Sequence, residues 1–395
     1  MKKKILATML VAMLAFSVVG CGSTEKTTDD STETKTADAD QEAADKVADL
    51  IDAIYVQDWT EDTEEQCKAA KEAWDALTDE QKELVEGEYA DPDYFGADTG
   101  DASLDDPLNS DDIGENEILV VSFGTSFNES RAEDIGGIES AIAEAYPDYS
   151  VRRAFTSQII INHVFARDGE QIDNVEQALD RAVENGVKNL VVQPTHLMQG
   201  AEYDSMVETV NEYADKFASV EIAEPLLGEV GETVTDTNAD KETVAKSITE
   251  EAVATSGYES LDAAKEAGVA YVFMGHGTSH TAKVTYLQMQ TQMQNLGYDN
   301  VWIGTVEGEP EETACENIIN DVKEAGYTKV VIRPLMVVAG DHANNDMAGS
   351  DEDSWVSQFE ASGNFDSIDT QIEGLGRIEA VQQLYVQHIS DVMNK

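Results

Sequence analysis

Residues 330–349 read VVIRPLMVVAGDHANNDMAG: an apolar run stops, and Asp341, His342, Asn344, Asn345 and Asp346 crowd together between Gly340 and Gly349. The stretch KVVIRPLMVV (329–338) has the largely apolar, β-branched content of a strand buried on both faces, which is how strands of a parallel sheet read. A polar cluster where such a strand runs out admits two readings. One is a turn with a capping Asp. The other is a metal or proton-transfer site, because open α/β sheets gather ligands at the carboxyl ends of their strands.

Working outward, seven more short runs share this character: EILVVSF, SVRRAF, NLVVQ, SVEIAEP, AYVFMG, VWIGTV and SIDTQIEG, with amphipathic stretches between most of them. This alternation predicts an α/β fold with parallel sheets, the strands dividing into two sets of four. An internal repeat supports the division. VVSFGTSF matches VFMGHGTSH, setting Phe123 opposite His276, and the spacing from Pro194 to Gly200 equals that from Pro334 to Gly340, setting Glu202 opposite His342. We expect two similar lobes, at about 117–260 and 261–395, each a four-stranded parallel sheet flanked by helices, with a cleft between them. The stretch GEVGETVTDTNADKETVAKSITEEAV, following the fourth strand, is read as an insertion.

His276, between glycines in MGHGTSH, and His342 both follow strands of one lobe. Two imidazoles and a carboxylate, Glu202 or Glu307 of GTVEGEP, suit a divalent transition metal with open positions. His163 and His388 stand in helical surroundings and read as structural, and His280 as a rim residue. A hydrolase reading, with Ser279 or Thr278 as nucleophile and His276 as base, lacks the strand, G-x-S-x-G, helix elbow. Arg152 and Arg153 of SVRRAF are candidates for pairing with substrate carboxylates.

The chain opens MKKKILATMLVAMLAFSVVGCGS, three lysines before an apolar stretch too short for a comfortable span, which reads as a signal peptide over 1–21. Val18-Val19-Gly20-Cys21 resembles a bacterial lipobox and implies lipidation of Cys21 and an extracytoplasmic, membrane-anchored product. Residues 22–45 hold no large apolar residue and read as a disordered acidic tether. Stripes at Val47, Leu50, Ile51, Ile54 and at Ala70, Ala73, Trp74, Leu77 predict a small helical module over 46–90, with capping boxes at Thr63/Gln66 and Thr78/Gln81. It resembles helical modules of Gram-positive surface proteins, and an acidic linker (91–116) follows. The net charge of −55 argues against a nucleic-acid partner, which it would repel at long range, and attracts cations, a weak pointer to a metal substrate. With Cys21 lipidated, only Cys67 and Cys315 remain, so the fold rests on its hydrophobic core.

The motifs VVSFGTSF, YPDYSVRRAFTSQIII, VVQPTHLMQGAEYD, FMGHGTSH, IGTVEGEP, PLMVVAGDHANNDMAGSDEDSW and GLG together resemble the anaerobic cobalt chelatases that act on sirohydrochlorin in cobalamin synthesis, across Glu117 to Lys395. The resemblance implies the two-lobed, ferrochelatase-like fold of class II chelatases. It also implies insertion of Co2+ (or Fe2+ or Ni2+) into a tetrapyrrole without ATP and without an organic cofactor. It assigns His276, His342 and Glu307 to the metal, with Glu202 a further catalytic candidate and the histidines also accepting the pyrrole protons. The predicted export departs from a cytoplasmic biosynthetic enzyme. It raises a second expectation, an extracytoplasmic lipoprotein that binds haem, another tetrapyrrole or a transition metal for uptake without turnover.

Overall fold

The computed structural model describes residues 30–96, 100–111 and 113–394. The predicted signal peptide, Cys21 and the first part of the tether lie outside these residues. Among the described residues no helix is long and apolar enough to cross a membrane.

Eight strands form two sheets: β1 (Asn116–Ser122), β2 (Ser150–Phe155), β3 (Asn189–Pro194) and β4 (Ser219–Ile222), then β5 (Val269–Gly275), β6 (Val301–Thr305), β7 (Lys329–Pro334) and β8 (Ser367–Thr370). Both are parallel throughout, with orders β2-β1-β3-β4 and β6-β5-β7-β8. The orders are the same permutation, so the sequence repeat is a repeat of topology. Central strands carry unbroken apolar runs because helices cover both faces; β5 is buried along its whole length. In each sheet the chain steps from the inner strand to one side, then crosses to the other. The order therefore reverses between β1 and β3 and between β5 and β7, which makes those two gaps the switch points where such sheets bind ligands.

Several expected boundaries move. The run KVVIRPLMVV leaves the sheet at Pro334, four residues early. Leu335 and Val337 instead enter a core shared by both lobes, so their apolar character serves interlobe packing. The lobes are also interlaced. The last helix, Glu379–Met393, packs back on the first lobe, where Tyr385 Oη donates to Thr195 O (2.9 Å) and Tyr146 Oη donates to Val386 O (2.8 Å). A boundary at 260/261 thus divides the sequence but not the packing. The stretch read as an insertion provides the helix Ala239–Thr255, which joins the same shared core through Val244, Ile248 and Ala252.

The tether reading fails from Asp30 onward, where the helix Asp30–Ile54 begins. Alanines at 37, 39, 43 and 44 favour the helix, and Ala44 is fully buried, so the helix extends ahead of the Val47 stripe. This helix packs with Thr63–Asp75 and with Val85, Tyr94 and Phe95 around Cys67 and Trp74. That core also includes Ala166, and Phe165 packs against it, both from Gln158–Asp168 of the first lobe, so the module is docked rather than loose. The Thr78/Gln81 capping box forms. The Thr63/Gln66 box does not, because Thr63 already lies inside its helix and its hydroxyl accepts from Thr60 N (2.9 Å).

The acidic linker is likewise not a linker in the mechanical sense. Asp105 is buried against two arginines: Arg131 Nε donates to its carboxylate (2.6 Å), and Arg153 makes a two-pronged contact with it (2.6 and 2.8 Å). Arg152 Nη1 donates to Ser110 O. The segment straps itself over the first lobe by adding partners to buried arginines that also pair with Glu139, Glu170 and Asp173.

Candidate metal centre

The loops after β5 and β7 flank the switch point of the second sheet, and they carry His276 and His342. The two rings sit with centroids 4.5 Å apart and planes at 72°. His276 is exposed and His342 half-exposed, so an ion can reach both from solvent.

Hydrogen bonding sets the tautomers. His276 Nδ1 lies 2.7 Å from Gly277 O, and a carbonyl only accepts, so Nδ1 carries the proton and Nε2 keeps its lone pair. His342 Nδ1 lies 2.6 Å from Asp346 Oδ2 in the same relation. This is the carboxylate–histidine arrangement that orients a ligating imidazole and strengthens it as a donor. Burial alone lowers the His342 pKa. The hydrogen bond and charge of Asp346, with Asp341 and Glu307 behind it, outweigh that and raise it above the ordinary value. Donor atoms of Asp341, His342 and Asp346 all lie within 4.8 Å of one another. Glu307 adjoins the pair from the β6 side: its backbone N donates to His276 O (2.9 Å). The turn between them needs glycine, since Gly277 has φ +94° and a Cβ there would sit 2.9 Å from the Glu307 Cβ.

Glu202 opens the helix Ala201–Tyr213 after β3, the place that His342 occupies after β7. Its charge bears on Tyr286, whose hydroxyl accepts from Gly277 N (3.1 Å) and whose pKa burial pushes up to about 12. His276, His342 and Glu307 therefore form one group, and Glu202 stands behind its turn.

Arg152 and Arg153 do not take the role expected of them. Both are buried on β2. Arg153 is held by Glu139 (2.8 and 2.7 Å) and Asp105, and Arg152 faces Asp173 (3.6 Å), so neither is available to a substrate carboxylate. Their place in an acidic protein reflects buried charge pairing. His163 is stacked on Tyr94 at 4.3 Å, with burial pushing its pKa down to about 3. His388 is buried, its Nδ1 3.0 Å from Glu224 O. His280 caps the turn Thr281–Lys283 and faces Asp204 at 3.4 Å.

His196 escaped the sequence reading. It follows β3, beside Glu202, and among the described residues neither ring nitrogen has a hydrogen-bond partner. Burial lowers its pKa to about 4, which keeps it neutral. Its signal was the run QPTHLMQG at a strand end, the same context as the other two histidines.

A doubly wound α/β protein of two like lobes, with imidazoles and carboxylates at a switch point, has the architecture and donor set of a metal chelatase. Residues 116–394 match the cobalt chelatase (CbiK) family model. The chain is 33% identical over 277 residues to the sirohydrochlorin cobaltochelatase of Salmonella typhimurium, covering 70% of this chain and 96% of that one. It is 31% identical over 248 residues to the sirohydrochlorin cobaltochelatase CbiKC of Nitratidesulfovibrio vulgaris, covering 62% and 80%. This chain belongs to the CbiK cobalt chelatase family. Among solved structures it is also similar to SirB from Bacillus subtilis with Fe3+, at 14% identity and a TM-score of 0.49 over 71% of this chain and 96% of that one.

Proposed function

We propose that the protein inserts Co2+ into sirohydrochlorin without ATP, with His276 and His342 holding the ion and accepting the pyrrole protons. The observation that carries this reading is the pair of imidazoles at 4.5 Å, each with Nδ1 occupied and Nε2 left as a donor. Insertion exchanges one divalent ion for two pyrrole protons, so the site must hold a cation weakly and provide bases near neutral pH. Neutral imidazole does both. Glu307 is the third ligand in this scheme, and Glu202, with Tyr286, supports the turn that presents His276. Divalent affinity discriminates poorly among first-row metals, so Fe2+ and Ni2+ are accepted as well.

We also propose that the leader and the Val18–Cys21 motif export the protein and anchor it by a lipid outside the cytoplasmic membrane. Mixing the protein with sirohydrochlorin and Co2+ and following the visible spectrum tests the activity directly. Multiple turnovers with release of the metallated product are expected. A stable one-to-one complex without turnover would overturn the enzyme in favour of a carrier.

A further inference from the structure

Residues 30–96 lie outside the family match, yet they are docked beside the site. Asn162 Nδ2 donates to Ile54 O (2.9 Å), and Gln158 N donates to Gln57 Oε1 (3.0 Å). The neighbouring Ser157 N donates to Phe123 O (3.2 Å). The segment 54–57 is thereby seated at the carboxyl ends of β1 and β2, next to the turn that carries Phe123. The His342 loop meets the same turn from the other side. A Cβ on Gly340 would lie 3.0 Å from Thr125 Oγ1, and Ser130 Oγ donates to Ala339 O (2.6 Å). Burial raises the pKa of Tyr55, with the charge of Asp341 adding to it, and Asp341 also adds, after burial and the charge of Asp93, to the raised pKa of Asp91.

Apolar groups are left open along this edge. Phe123 is 46% exposed, Tyr89 46% and Val56 38%. Tyr89 is stacked on Tyr55 at 4.0 Å, with planes 7° apart, and Asp52 fixes its backbone by accepting from Tyr89 N (2.8 Å). A rigid aromatic pair presenting one open ring is a surface for a flat, apolar-faced ligand. Exposed apolar groups gathered beside a polar rim are the form that ligand-binding grooves take.

We propose that Tyr55, Val56 and Tyr89 of the N-terminal module, together with Phe123, form a wall of the tetrapyrrole site. The module is then part of the substrate-binding surface rather than a spacer. The occupant follows from continuity with the His276/His342 pair: a macrocycle receiving an ion there is much wider than two imidazoles and must extend over neighbouring surface. Acidic Asp91 and Asp341 beside the wall turn the substrate's own carboxylates outward.

This inference rests on the chelatase reading for its ligand, and its test separates the two. The full-length protein is titrated with sirohydrochlorin in the absence of metal, following fluorescence quenching, and insertion of Co2+ is then measured. The Val56→Ser/Tyr89→Ala double variant and Phe123→Ala should each raise the Kd and KM for the macrocycle about ten-fold, with the KM for Co2+ unchanged. Tyr89→Phe should stay within two-fold of wild type in both, a rescue that loss of folding would not show. Unchanged macrocycle affinity in the double variant, with wild type active, overturns the wall and leaves the chelatase. Weakened binding without turnover in any form supports the wall and overturns the chelatase. Failure of wild type to bind the macrocycle overturns both.

Discussion

His276 and His342 each have the Nδ1 proton committed elsewhere, to Gly277 O and Asp346, which is why we propose them as a pair of ligands through Nε2. Replacing either by Ala removes a ligand and a base together, so the insertion rate should fall by about 100-fold or more while circular dichroism stays unchanged. Spectroscopic rates on the two single variants check this; activity near wild type in either would remove that residue from the centre. Asp346 acts through His342, 2.6 Å away. A proton on His342 competes with the ion, so kcat/KM for Co2+ should decline as pH falls through the raised His342 pKa, which lies above the ordinary value of about 6.5. In Asp346→Asn the raising contribution is lost while burial remains, and the acid limb should move to lower pH. Cobalt affinity well above both limbs should drop about 10–100-fold. A limb that stays in place would show that another group controls the profile.

Among the elements, the segment 100–111 and the helix Asp30–Ile54 departed furthest from what their composition suggested. Low apolar content marks a segment that cannot build its own core, but it does not show whether a neighbour will hold it. Asp105 is held by Arg131 and Arg153, which keep its pKa below the ordinary value against the upward push of burial. Asp105→Ala leaves two buried guanidinium groups short of a partner and should reduce stability by about 3–5 kcal/mol, measured by urea unfolding. Because the folded-state pKa is lowered, this contribution is present above the ordinary aspartate pKa and is lost as pH falls through the folded value. The variant's deficit should therefore shrink at low pH. A loss below about 1 kcal/mol at neutral pH would mean that the strap is held by other contacts.

At the scale of the whole molecule, the sequence carries 80 acidic against 25 basic residues, a balance that suits the cation site proposed at His276 and His342. A field of that sign draws divalent ions inward and is screened over about 10 Å at 0.1 M salt. The insertion rate at low Co2+ should consequently fall several-fold between about 0.01 and 0.15 M NaCl, with kcat at saturating Co2+ little changed. Stopped-flow absorbance over a salt series measures both, and a salt-independent rate would restrict the charge to a solubility role. The helix Glu379–Met393 crossing back to the first lobe ties the lobes together, as does Asp134. It accepts from Ala339 N (2.9 Å) and Arg377 Nε (2.6 Å), so the His342 loop is positioned by residues of the opposite lobe.

The sequence by itself determined the class of fold, the eight strands, the repeat of the two lobes and the two histidines that meet. Those features depend on local pattern: strand runs, glycine-flanked turns and spacing that survives in both halves. It could not determine the partners of Arg152 and Arg153, because a polar residue in a strand reads alike whether it faces solvent, substrate or a buried carboxylate 48 residues away, as Arg153 does with Asp105. His196 was passed over for a related reason, since its missing partners show only in three dimensions. The place of the helical module, the early exit of the chain at Pro334 and the return of the last helix were also left to tertiary structure. Each is decided by which apolar surfaces remain uncovered once the sheets have formed, and burial of that surface is non-local and indifferent to order along the chain.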